Sequence, residues 1–117
     1  MSTAQIIKEL VIQLNKPGID KVILFGSQAN GLAAEGSDID LIVVTSDDEI
    51  PDSFRKKMEI HHRVNSYIQS LRPKTPIDLI VYTKGMFVKM LALNGLFANE
   101  LNQNSIILYE RADTTLA

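Results

Sequence analysis

The stretch Ser37-Asp38-Ile39-Asp40-Leu41-Ile42-Val43-Val44-Thr45 limits what this chain can fold into more than any other. A strand turns successive side chains to opposite faces, and from Ile39 to Val44 both faces are apolar apart from one aspartate. Such a strand must be covered on both sides, which calls for helices above and below a sheet. Yet Asp38 and Asp40, two positions apart, share one of those faces. Their Cα atoms should stand roughly 6.5 Å apart, twice the strand rise. Carboxylates at that spacing can reach one cation or hold a pair of them. Oxygen-only ligands favour Mg²⁺ or Mn²⁺ over zinc. Without a cation the two charges repel, and at least one pKa must rise. A turn in which Asp38 bonds nearby backbone N–H groups would account for Asp38 alone. It leaves Asp40, inside the apolar run, unexplained.

The same local grammar recurs. Pro76-Ile77-Asp78-Leu79-Ile80-Val81-Tyr82-Thr83 again opens an apolar run with an aspartate. If the two strands are neighbours, Asp78 joins the carboxylate cluster; the plainer alternative is that it only starts a strand after a proline turn. Two further strands are expected, over residues 21–25 (KVILF) and 105–110 (SIILYE). Between them fall helical patterns. Ser2 and Gln5 have capping-box spacing ahead of a face made by Ile6, Ile7, Leu10, Val11 and Leu14, and Pro17-Gly18 ends that helix. A long helix over 54–71 would place Phe54, Met58, His61, Val64, Ile68 and Leu71 on one side. An apolar helical region over 85–101 breaks at Asn94-Gly95. With no repeats and no linker, the reading is one α/β domain over residues 1–117, its helices covering a mostly buried sheet.

Gly26-Ser27 follows the first strand, and residues 26–36 read as a turn carrying three glycines. Glycine lets the backbone turn sharply and lets an anion approach, while a serine hydroxyl and outward N–H groups suit a phosphate. The P-loop and dinucleotide patterns are both absent. Composition narrows the field. A net charge of −2 offers no general phosphate-binding surface, so direct nucleic-acid binding is not expected. The absence of cysteine excludes disulfides and thiolate metal sites and fits a cytoplasmic protein. The amphipathic N-terminus does not resemble a secretory signal, and the apolar runs are too short to span a membrane.

Gly26-Ser27, ten residues, then Asp38-Ile39-Asp40 resembles the GS-x10-DxD signature of the DNA polymerase β-like nucleotidyltransferase superfamily. The signature is specific because it fixes two elements and their separation at once. The short chain resembles the minimal nucleotidyltransferases (MNT) that pair with HEPN-domain partners in toxin–antitoxin modules, and the likeness runs over nearly its whole length. The resemblance implies a small mixed β-sheet flanked by helices. It further implies that Gly26 and Ser27 hold the triphosphate of ATP. Asp38, Asp40 and Asp78 would ligate two Mg²⁺ ions (or Mn²⁺), and Asp78 would help deprotonate the attacking hydroxyl. Relatives of this size add AMP to a tyrosine of their HEPN partner, which points to an antitoxin that acts as a protein adenylyltransferase. One departure stands out. Many relatives carry arginines after Gly-Ser, as in GSRARG, whereas Gln28 and Asn30 occupy those places here. Lys84 or Lys74 would have to supply the missing charge.

Other readings remain open at this point. A vestigial site would make the chain an antitoxin that masks its partner. A small hydroxylated acceptor, such as an aminoglycoside, would need a homodimer to complete its pocket. Arg55, Lys56, Lys57 and Arg63 read as a solvated helix face, His61 as packed and His62 as solvated, and Tyr67, Tyr82 and Tyr109 as packing residues. The segment MFVKMLALNGLFANEL holds too many apolar residues for one helical stripe, and an exposed remainder would suit a partner.

Overall fold

The computed structural model describes residues 1–31, 33 and 37–111. Gly36, read as the third glycine of the turn, lies outside them. The chain runs α1 (Thr3–Leu14), β1 (Ile19–Phe25), a 3-10 turn (Gly26–Gln28), β2 (Ile39–Thr45) and α2 (Phe54–Ile68), which a second 3-10 turn (Gln69–Lys74) continues. Then come β3 (Ile77–Thr83), α3 (Lys84–Leu93), α4 (Gly95–Asn104) and β4 (Ser105–Glu110). The sheet order is β3-β2-β1-β4. β2 and β3 are parallel, joined by the α2 crossover, while β1 runs antiparallel to both β2 and β4. This is the mixed α/β sheet expected.

Local chemistry sets the helix ends. Ser2 caps α1 reciprocally with Gln5: Gln5 N–H donates to Ser2 Oγ at 3.2 Å and Ser2 N–H to Gln5 Oε1 at 2.8 Å. Asn94 both ends α3 and caps α4, its Oδ1 accepting from Phe97 N–H at 3.0 Å. The helices then cover the two faces of the sheet. Ile6, Leu10 and Leu14 of α1 and Val64 and Ile68 of α2 close over Val22, Leu24, Ile39, Leu41, Val43 and Ile77. Phe87 and Leu91 of α3 and Phe97 and Leu101 of α4 close over Ile23, Ile42 and Val44.

Two expectations are corrected. The buried stripe of α2 is Ile60, Val64 and Ile68, extended by Leu71, whereas Phe54 is 77% exposed, because the first turn of the helix stands clear of the sheet. The sheet is also less enclosed than expected. β1 and β2 are buried, but the edge strands expose Ile80, Ile106 and Ile107, since a four-stranded sheet has as many edges as centres. Tyr67, Tyr82 and Tyr109 pack against the two cores, as read from the sequence. Among the described residues, no helix is long and apolar enough to cross a membrane.

Candidate active site

Register builds the site. β2 and β3 pair in parallel with Asp40 opposite Asp78, so both carboxylates leave the same face at the same end of the sheet. On the other side of β2, Phe25 pairs with Asp40, so β1 ends directly beside that aspartate. The chain then leaves β1 through Gly26, whose φ of +75° favours glycine. A Cβ at this position would lie 2.5 Å from Asp40 Oδ2. The glycine therefore serves both the backbone turn and the carboxylate behind it. Ser27 is exposed on the turn that follows, and Gly26 O accepts from Ala29 N–H at 3.0 Å and Asn30 N–H at 3.3 Å.

Asp38 lies just before β2 and is exposed; Asp40 is half-buried and Asp78 exposed. Burial is the first cause that lifts the Asp40 carboxyl above its ordinary pKa. A hydrogen bond shared with Asp78 adds to it, followed by the charges of Asp78 and Asp38. Asp40 and Asp78 are thus direct neighbours across the strand pair, with Asp38 near enough for its charge to be felt. Among the described residues, no group of three or more His, Cys, Asp or Glu side chains stands ready to hold a metal ion. The donor set fits a cation that arrives with its own phosphate ligands, since Mg²⁺ characteristically takes one or two carboxylates and completes its shell elsewhere. The pairing of Asp40 with Asp78 has the same reading: two carboxyls side by side call for a proton or a cation between them.

Read from the sequence, Gln28 is only the place of a missing arginine; the structure gives it a positioning bond. Its side-chain amide donates to Ser37 O at 3.3 Å, tying the Gly-Ser turn to the residue before Asp38. A bond between residues nine apart across a loop leaves no periodic mark in the sequence. Lys84, suggested as a substitute cation, is excluded by strand geometry. It follows Thr83 at the far end of β3, and six residues of strand place it roughly 20 Å from Asp78. Lys74 is exposed in the turn just before β3, at the aspartate end.

The basic cluster on α2 divides. Arg55, Lys56 and Arg63 form ion pairs with Glu59, Glu49 and Asp47. Lys57 lines a groove with Ile50, Pro51, Tyr82, Met86, Lys89, Met90 and Leu93. His62 is exposed, as expected. His61 is half-buried, and its Nδ1 is enclosed without a hydrogen-bond partner among the described residues.

Comparison with known proteins identifies the family and the fold. The model of the nucleotidyltransferase domain family matches residues 4–85. No curated protein matches the chain. Among solved structures, a candidate nucleotidyltransferase from Sulfolobus solfataricus superposes with a TM-score of 0.60 at 21% identity, over 92% of this chain and 79% of that one. A toxin–antitoxin complex with AMP-PNP gives a TM-score of 0.49 at 18% identity, over 93% of this chain and 74% of the other. The MntA-HepT toxin–antitoxin structure gives 0.48 at 15%, with coverage of 93% and 74%.

Proposed function

This chain belongs to the nucleotidyltransferase domain family, and we propose that it is a Mg²⁺-dependent enzyme transferring AMP from ATP to a hydroxyl of a partner protein. One observation carries the reading. Asp40 and Asp78 meet in register on neighbouring strands, directly beside the turn at Gly26, and no ion pair to either is found among the described residues. Following the minimal nucleotidyltransferase resemblance, the partner is a HEPN-type toxin, the acceptor a tyrosine and the chain a single-domain antitoxin.

Asp38, Asp40 and Asp78 would hold the divalent ions, which supply charge neutralisation at the reacting phosphate when bound. The chain's own residues do the rest. Gly26 leaves room for the phosphates next to Asp40, and Ser27 offers a hydroxyl to them. Asp78, on the edge strand and exposed, is open to an incoming side chain and accepts the phenolic proton. The phenolate oxygen forms its bond to the α-phosphorus as the bond from that phosphorus to the bridging oxygen of pyrophosphate breaks. Gln28 holds the turn against Ser37 and so fixes the spacing between the phosphate-binding turn and Asp38.

A second reading, an antitoxin that masks its partner without chemistry, draws on Gln28, whose amide bonds to backbone where relatives carry an arginine. One experiment separates the two. Host lysate is incubated with Mg²⁺ and ATP labelled at the α-phosphate, together with the parent protein or Asp40→Asn. A labelled protein band that depends on Asp40 is expected. Equal labelling by both proteins, or none by either, would overturn the transfer reading.

A further inference from the structure

The end of the sheet remote from the aspartates carries a second feature. α3, KGMFVKMLAL, is apolar apart from Lys84 and Lys89, more apolar than a helix with one buried stripe needs. The sheet covers one side and α4 adjoins another, and part of the helix stays open. Phe87 and Leu91 pack onto the sheet, whereas Val88 is 61% and Leu93 74% exposed. Met86, Met90 and Leu93 recur at intervals of four and three, the seam on which a second helix packs. Facing that seam, Ile50 and Pro51 of the loop after β2 close a groove of about 240 Å³. The loop is fixed in place: Thr83 Oγ1 donates to Glu49 O at 2.5 Å and Lys84 N–H to Asp47 O at 2.9 Å. Two adjoining hollows share Pro51 and Lys57 with it.

Charge decides what fits. The only charged residues of α3 are Lys84 and Lys89. Lys89 and Lys57 flank the apolar floor, and none of the three lysines has a carboxylate partner among the described residues. No acidic side chain lines the groove itself, and Asp52 lines an adjoining hollow. A second copy of this chain is disfavoured, since a two-fold interface along α3 would set Lys89 against its own equivalent.

We propose that this groove seats an amphipathic helix of the partner protein, with aliphatic residues in the methionine-lined floor and carboxylates on Lys57 and Lys89. The methionines suit such an occupant because their flexible side chains adapt to a partner's shape. α3 is about 15 Å long, enough to bury three turns of a helix laid along it. The groove opens at the end of the sheet opposite Asp40 and Asp78. A partner held there leaves the aspartates accessible to its own acceptor segment. The inference rests on the function proposed above only for the identity of the partner, and the binding itself needs no nucleotide.

The test uses the whole chain, nitrogen-15 labelled, without ATP or metal. The probe is a helical peptide of about 20 residues with leucines at four- and three-residue intervals and flanking glutamates; a control peptide carries lysine at each glutamate. The glutamate peptide is expected to shift the amide resonances of Lys57, Met86, Lys89, Met90 and Leu93. It should bind at least about tenfold more tightly than the control. The double variant K57E/K89E should reverse that preference. Equal affinity for both peptides, shifts confined to other surfaces, or no binding would overturn the proposal. So would sedimentation showing a parent dimer that Leu93→Asp separates, because the occupant would then be a second copy. Loss of label transfer with the peptide preference intact would remove the enzyme and keep the groove.

Discussion

Asp40 and Asp47 are both half-buried carboxylates attached to β2, one near its start and one just past its end, and the fold treats them in opposite ways. Burial pushes the pKa of each upward. At Asp47 that push is outweighed by hydrogen bonds from the Thr45 hydroxyl at 2.7 Å and the Arg63 guanidinium at 2.6 Å, and by the charge of Arg63, so the carboxyl titrates below its ordinary value. At Asp40 the neighbours are Asp78 and Asp38, which push the same way as burial, and the carboxyl titrates above it. A carboxylate that serves the fold is given a cation by the fold. One kept beside other carboxylates adds no stability of its own, which is the physical reason for looking to a ligand for the missing charge.

Replacing Asp40 should give the largest effect and break the comparison most directly. Asp40→Asn is expected to lower label transfer by at least about 100-fold while leaving the melting temperature unchanged or raised, because it removes a charge from a crowded pair. Mg²⁺ at ten times its dissociation constant should stabilise the parent by about 1.4 kcal/mol and leave this variant unmoved. Thermal melts with and without Mg²⁺ check both statements. A variant that melts well below the parent would place Asp40 with Asp47 as a structural carboxylate.

Gly26→Ala should come next. The added methyl meets Asp40 Oδ2 at 2.5 Å, and the φ of +75° strains any residue with a Cβ. Together these should cost about 1–3 kcal/mol in chemical denaturation, with transfer falling as well. Gly31→Ala is the control. It shares the positive φ, at 76°, but has open space around it, so it should cost only the backbone part. Equal losses in the two variants would show that the contact with Asp40 contributes nothing.

How far these features can be read from sequence follows from the range of the interactions behind them. The Ser2–Gln5 cap and the break at Asn94 depend on residues three apart, and both were legible. The aspartates were legible because each violates an apolar strand. Their meeting is a matter of register, which the repeated IDLIV pattern suggests and only the parallel pairing of β2 with β3 settles. Arg63 reads as one more solvated cation because Asp47 is sixteen residues away. Lys84 looks close to Asp78 when counted along the chain, yet an extended strand turns six residues into roughly 20 Å. On α2, periodicity finds a stripe but not the point where the helix first meets the sheet, so the expected stripe runs back to Phe54 whereas the buried one starts at Ile60.

Arg63→Ala sharpens the comparison from the other end. It should cost about 1 kcal/mol, near the upper limit for an exposed pair, because the Arg63 and Asp47 side chains are 45% and 32% exposed. The pH dependence carries the sign. A carboxyl whose folded pKa lies below its unfolded value stabilises the fold above the unfolded value, and that contribution is lost as pH falls through the folded one. The parent should therefore lose stability on acidification below about pH 4, and Arg63→Ala should lose less over the same interval. Denaturation curves at stepped pH test this, and identical pH slopes in the two proteins would remove Arg63 as the cause.

Leu93→Asp should change stability least. At 74% exposure Leu93 gives up little buried area when replaced, and surface changes of this kind usually stay within about 0.5 kcal/mol. The substitution nonetheless puts a negative charge into the seam between Lys57 and Lys89, where an acidic helix would need to sit. An unchanged melting temperature and unchanged Mg²⁺ stabilisation, combined with lost peptide binding, would mean that the two ends of the sheet work independently, one for chemistry and one for holding the partner. If Leu93→Asp also abolished the Mg²⁺ stabilisation, the ends would be coupled through the sheet, where β2 pairs along its length with both β1 and β3.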